Sequence, residues 1–294
     1  GLAGDVLTDA DYNVAVGYGA LSEDHKGNKS TAIGAFALEA QEYTSSGDTE
    51  NTAVGYQAGT AITTGGSNTF IGERAGLSVQ TNGQNTFVGS FAGATLTSGG
   101  NIMIGREAGT RSTAFVTGGS NIVIGNQTIA GAADRETAIV LGHGVTSSNS
   151  SQFTFGNGTN DSNISHGATS ITAPSDERYK EEITTSTAGL SFINDLRPVT
   201  FKWKKEKDVP STHASYVANS DTRVMGRGDK VQHGFIAQEV KAVIDNHSEI
   251  KNGFEMWQAD DFDGRQRLAP SELVPMLVKA IQELSAEVTA LKGG

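Results

Sequence analysis

Ser175 and Lys180 stand five residues apart in Pro174-Ser-Asp-Glu-Arg-Tyr-Lys180. A serine hydroxyl is a weak nucleophile at neutral pH and needs a base to take its proton. Lysine can be that base where its ammonium is stripped of water, which lowers its pKa toward the working pH. Ser–Lys pairs are a recognised variant of the serine–histidine–aspartate logic. A spacing of five can bring the two side chains together on a turn entering a helix, or across neighbouring chains. The same residues also read as a helix start, with Ser175 as N-cap and Asp176 and Glu177 in a first turn that suits the helix dipole. The full capping box fails, because position 178 is Arg rather than Glu. Residue types alone leave both readings open.

Little else in the chain suggests chemistry. His25, His143 and His166 are isolated and read as surface residues. The regular Asp of a calcium-binding nonapeptide repeat is missing. There is no cysteine, which excludes a disulfide framework and Cys-ligated zinc. Neither a metal nor a cofactor is expected. The net charge of −11 makes the surface a poor partner for nucleic acid and for anionic membranes. No apolar run reaches the roughly 18 residues of a membrane span, and no signal-peptide pattern is visible. The chain starts at Gly1 rather than Met, so a longer protein is expected upstream.

The two halves differ in kind. Residues 1–174 hold 29 of the 37 glycines but only 20 charged side chains, against 35 charged side chains in residues 175–294. All five prolines and both tryptophans, Trp203 and Trp257, lie at or after position 174. This break divides the chain into a glycine-rich β-repeat at 1–158, a junction at 159–174 and a C-terminal domain at 175–294.

The first half repeats. Asn13-Val-Ala-Val-Gly17, Ser30-Thr-Ala-Ile-Gly34, Asn51-Thr-Ala-Val-Gly55, Asn68-Thr-Phe-Ile-Gly72, Asn85-Thr-Phe-Val-Gly89, Asn101-Ile-Met-Ile-Gly105 and Asn121-Ile-Val-Ile-Gly125 follow one grammar, with weaker copies ending at Gly142 and Gly156. Each unit has a turn cluster, a short β-branched or aromatic strand and a glycine, and many close on Ala-Gly. Such strands bury their apolar side only by stacking on the next unit. The glycine marks a tight bend or a close backbone approach. The asparagine suits a turn or a stacked side-chain ladder. Ala53 and Phe70 lie in one register, Val54 and Ile71 in the other. Either register alone makes a thin core for one chain, which argues for three chains around an axis. The repeat resembles the β-roll heads of trimeric autotransporter adhesins and the shafts of phage tail fibres, although its unit is mostly longer than in those heads. A stalk is expected, with a host-receptor or glycan surface on its loops as the functional alternative to a stalk alone.

The second half reads as α+β. A helix is expected over 188–196, ended by Arg197-Pro198, then a strand over 199–203, a charged loop to about 231, a short strand over 233–237, a helix over 238–246 and a last helix over 270–291. That helix carries Leu277, Ile281, Leu284, Val288 and Leu291 at spacings of 4, 3, 4 and 3, the heptad alternation of a coiled-coil seam. The alternative is an amphipathic helix packed on its own domain.

Four motifs occur in order: Ser175-Asp-Glu-Arg-Tyr-Lys180, Leu196-Arg-Pro-Val-Thr-Phe-Lys-Trp203, Gly234-Phe-Ile-Ala-Gln-Glu-Val240, and Leu273-Val-Pro with Lys279-Ala-Ile-Gln-Glu-Leu284. Together they resemble the endosialidase-type C-terminal intramolecular chaperone, a self-cleaving serine peptidase domain. The resemblance spans essentially all of 175–294. It implies a homotrimer in which this domain templates the β-fibre before it and is then released. It implies Ser175 and Lys180 as the catalytic dyad, with Asp176 and Arg178 shaping the site. The bond cut is then Pro174–Ser175, with Ser175–Asp176 as the alternative. It implies a tail fibre or spike of a virion, folded in the bacterial host cytoplasm and joined to further fibre upstream. The competing readings are a bacterial trimeric adhesin whose end merely trimerises, and a glycan depolymerase. The first needs a C-terminal membrane barrel, whereas this chain ends in a heptad helix. The second needs paired carboxylates, whereas acids in the first half stand mostly singly.

Overall fold

The computed structural model describes residues 2–110, 117–158, 160–226, 228–251, 254–259 and 264–293. The chain forms two compact units, Gly1–Tyr179 and Lys180–Gly294.

The first unit is a β-solenoid of about eight turns. Its rungs are the strands Val14–Val16, Thr31–Ile33, Thr52–Val54, Thr69–Ile71, Thr86–Val88, Ile102–Ile104, Ile122–Ile124, Ile139–His143 and Gln152–Asn157, each parallel to the next. A tenth strand, Asn160–Ser165, turns back antiparallel on the ninth. The sheet therefore extends into the 159–174 stretch assigned above to the junction.

A three-residue strand sends its middle side chain to one face and its flanking two to the other. Here the middle residues go in. Ala32, Ala53, Phe70, Phe87, Met103, Val123 and Val140 are aligned rung to rung and fully buried. The alanines of the second segment, such as Ala58, Ala75, Ala92 and Ala108, close the core from another side. One chain thus encloses a complete core, and the thin-core argument for three chains does not hold. The register of Val54 and Ile71 points outward.

Two further columns lock the rungs in register. Asn51, Asn68, Asn85, Asn101 and Asn121 are buried and form a ladder. The Oδ1 of each accepts the backbone N–H of the residue one turn on, at 3.0 Å for Asn51 to Asn68, Asn68 to Asn85, Asn85 to Asn101 and Asn101 to Asn121. A buried N–H left without a partner is costly, so this column needs asparagine. The motif glycines form the other column. Gly72 has φ +132°, and a Cβ there would lie 2.6 Å from the Gly89 carbonyl. Only glycine fits both the angle and the approach.

The second unit is small and mixed. Helix α1 (Leu190–Asp195), helix α2 (Ala237–Asn246) and helix α3 (Val274–Gly293) accompany two antiparallel strand pairs, Val199–Phe201 with Gln232–Gly234 and Trp257–Ala259 with Gln266–Leu268. Phe192, Val240, Ile244, Met256 and Leu273 form its core. Helix α1 has no side-chain cap of its own. Its Leu190 N–H donates instead to Glu283 Oε2 of α3 at 2.7 Å, an anion placed at a helix N-terminus. That bond holds the Glu283 carboxyl below the usual carboxylate range. The expected elements all appear within a few residues. The strand pair between Trp257 and Leu268 is an addition.

Candidate functional site

Residues 165–187 are exposed throughout, and this stretch carries Ser175, Asp176, Arg178 and Lys180. Glu177–Tyr179 forms a single 3-10 turn. Ser175 precedes that turn by two positions, so the α-helix N-cap alternative has no α-helix to cap. Arg178 folds back on Asp176, with its Nε 3.0 Å from Oδ1 and its Nη2 2.6 Å from Oδ2, while the Arg178 backbone N–H donates to Oδ1 at 2.9 Å. These bonds from Arg178 pull the Asp176 carboxyl below its usual range and raise the guanidinium above its own. The pair is fully exposed and stabilises little. Its effect is to fix the turn between Ser175 and Lys180.

Ahead of Ser175 the chain is tied to the solenoid. Thr172 and Asn163 exchange backbone hydrogen bonds, Asn163 N–H to Thr172 O at 2.8 Å and Thr172 N–H to Asn163 O at 2.7 Å. Thr172 Oγ1 also donates to Asn163 Oδ1 at 2.5 Å. Beyond this bridge, Ala173, Pro174 and Tyr179 line a cavity of about 780 Å³ with Thr146, Asp161 and Ser162 of the last solenoid turns. Partial burial pushes the Asp161 carboxyl above its usual range. Sequence reasoning missed this arrangement, because Asn160–Ser165 has almost no apolar pattern. The available signal was Gly158 directly after the strand-like run, a turn marker that follows the last paired residue, Asn157, and takes φ +61°.

Among the described residues, two apolar surfaces are left exposed. On α3, Ile281 is 66% and Leu291 82% exposed, and Leu277, Leu284 and Val288 are also exposed. The face packed on α1 is a different one, carrying Ala280 and Glu283. Much of the seam is therefore left exposed within its own unit. On the solenoid, the outward register forms a column in rung-to-rung alignment: Val16, Ile33, Val54, Ile71, Val88, Ile104, Ile124, Leu141 and Phe155. The parallel outward column turns from threonine to Ile102, Ile122, Ile139 and Phe153 in the later turns. Neither column contains a charge. Among the described residues there is no helix long and apolar enough to cross a membrane and no cluster suited to a metal ion.

Residues 175–249 match a family model described as the chaperone of endosialidase. The match covers about a quarter of the chain and takes in the first three motifs, while the α3 motif lies beyond it. Comparison with curated proteins and with solved structures returned no match. A β-solenoid followed by this match supports a tail-fibre-type protein with a folding chaperone domain.

Proposed function

We propose that this chain is part of a homotrimeric virion fibre or spike whose C-terminal unit drives assembly and then detaches itself at Ser175. The observation that carries the reading is the nine-rung outward column. Burying a Val or Ile side chain is worth about 1.5–3 kcal/mol when it starts fully exposed, so a half-exposed rung contributes about 1 kcal/mol. Nine rungs in one line reach the scale of the association cost, roughly 4–15 kcal/mol. Two to three heptads on α3 add to this and set the alignment of the chains. A shaft and a C-terminal seam that both leave apolar stripes uncovered fit self-association better than a receptor groove.

Trimerisation also answers a chemical need. Lysine acts as a base only where its ammonium is desolvated, and Lys180 is exposed in the single chain. Packing of three chains supplies the missing cover, so that the dyad forms only on correct assembly. Ser175 Oγ then attacks the Pro174 carbonyl carbon while the Lys180 amine takes the hydroxyl proton. Collapse breaks the C–N bond, and that proton passes to the Ser175 nitrogen. Water hydrolyses the resulting ester, leaving a carboxyl at Pro174 and a free α-amine and hydroxyl at Ser175. Each chain turns over once, and no diffusible substrate is needed. The shaft left behind is kinetically trapped, since its template has gone.

The test is intact mass and a denaturing gel of the expressed chain beside Ser175→Ala and Lys180→Ala. Two wild-type fragments meeting at 174/175, with both variants full length, support the dyad. A full-length wild type of 30.6 kDa removes the peptidase.

A further inference from the structure

The proposed peptidase has a substrate as well as a dyad, and that substrate is the chain's own segment just before Ser175. Peptide cleavage is sensitive to how the scissile carbonyl is held, because a misplacement of about 1 Å costs on the order of 100-fold in rate. In an exposed stretch such as 165–187, something must hold it.

The closing hairpin of the solenoid offers that hold. Asn163, on the last strand, binds Thr172 through both backbone groups and through its side-chain Oδ1. The same Oδ1 accepts from Gln152 Nε2 at 2.6 Å. Gln152 is buried at the start of the ninth strand, and its Oε1 accepts from Ser148 Oγ at 3.0 Å and from Asn149 N–H at 3.1 Å. The relay therefore runs from the loop before the ninth strand, across two strands of the sheet, to a residue two positions from Pro174. Every link needs the final turn to be formed: Gln152 and Asn163 face each other only when the ninth and tenth strands pair, with Gln152 opposite Ser165 and Thr154 opposite Asn163. The cavity beside Pro174 is walled by the same hairpin, through Asp161 and Ser162.

We infer that Gln152 and Asn163 are positioning residues for the cleavage at Ser175, so that cutting requires the last solenoid turn to be complete as well as the chaperone to be assembled. This rests on the autoproteolysis reading and adds a second checkpoint to it. Assembly of the C-terminal unit supplies the dyad. Closure of the solenoid supplies the bond to be cut. A chain whose shaft has not zipped to its last rung keeps its template attached.

Cleavage is followed by intact mass after refolding of the full chain, with trimer mass by light scattering and solenoid melting by circular dichroism read on the same samples. Asn163→Ala removes the acceptor shared by Thr172 and Gln152 and is expected to slow cleavage about 10- to 100-fold, with trimer mass unchanged. Asn163→Asp keeps that acceptor and is expected to cleave within about three-fold of wild type. A second variant, two glycines inserted between Thr172 and Ala173, leaves the hairpin and residues 173–180 intact. It lies in the exposed stretch, so it spares the fold, and it is expected to slow cleavage to a similar extent. Wild-type rates in both Asn163→Ala and the insertion variant overturn the inference while the peptidase stands. A wild-type chain that never cleaves overturns both together. Slowing by Asn163→Asp equal to that by Asn163→Ala also overturns it, since the acceptor would then not be what matters.

Discussion

Asn85→Ala cuts one rung from the asparagine ladder, and its cost can be worked from the bonds it removes. Asn85 is 1% exposed. Its Oδ1 is the acceptor for the Asn101 backbone N–H at 3.0 Å, and its Nδ2 donates to Asn68 Oδ1 at 3.1 Å. Alanine leaves the Asn101 N–H buried without that acceptor, at about 1–3 kcal/mol, and removes one further net hydrogen bond of about 1 kcal/mol. The Asn101 side-chain amide keeps Ser98 Oγ and Gly99 O as partners, so it adds little. Asn68 Oδ1 keeps the backbone N–H of position 85. The sum is about 3 kcal/mol, which lowers the melting temperature of a unit this size by roughly 6–12 °C. Asn85→Asp sharpens the test. It restores an acceptor for Asn101 but sets a carboxylate oxygen against Asn68 Oδ1, where Asn85 had a donor. Burial beside an acceptor raises that carboxyl's folded pKa above its unfolded value. The penalty is then present above the unfolded pKa, about 3.9, and disappears below it, where a protonated acid can donate. At pH 7 the aspartate variant should melt below the alanine variant, and on acidification toward pH 4 the order should reverse. The assay is circular-dichroism melting on a Ser175→Ala background, which keeps cleavage out of the signal. If Asn85→Ala lies within about 0.5 kcal/mol of wild type, the ladder is not what fixes the rungs.

Two further outcomes follow from other parts of the molecule. Ile104→Lys combined with Ile124→Lys puts two charges into the outward column and should yield monomers by light scattering, with the β signal retained because neither side chain is in the core. His247 tests the chaperone unit by pH. The hydrogen bonds its ring donates to Glu249, first, and to Asp195 raise its pKa above the ordinary histidine value. A raised folded pKa means stability that is fully present below about pH 6.5 and lost as pH rises through the folded pKa. The unit should melt higher at pH 6 than at pH 8, and His247→Gln should flatten that slope.

Much of the solenoid was legible because its constraints are local and repeated. A glycine every 14 to 21 residues and an asparagine before most strands report two backbone columns that tolerate little else. What could not be read was which register faces in. Phe70 and Ile71 are both apolar, and the polar mark of the outward face is slight: Thr31, Thr52, Thr69 and Thr86 share it, but Ile102, Ile122 and Ile139 replace them in the later turns. The tenth strand escaped for the opposite reason. Asn160–Ser165 holds its place by pairing and by Asn163, with Ile164 as its single large apolar side chain. Ser175 and Lys180 stand out by motif, and the family match opens at Ser175 and takes in both. The contacts ahead of Ser175 were not legible, because Thr172 meets Asn163 through backbone groups that every residue possesses. In the chaperone unit the heptad spacing of α3 was plain, and the structure adds that much of its seam is left exposed while Glu283, off the seam, caps α1.

In the proposed function, cleavage waits on assembly. This is tested most directly by refolding the wild-type chain over a hundred-fold range of concentration and reading intact mass against time, beside Leu284→Asp. Cleavage should slow on dilution, and the Leu284→Asp chain should stay monomeric and uncut at 30.6 kDa. A Leu284→Asp monomer that cuts itself at the wild-type rate, or a wild-type rate independent of concentration, would contradict the proposal.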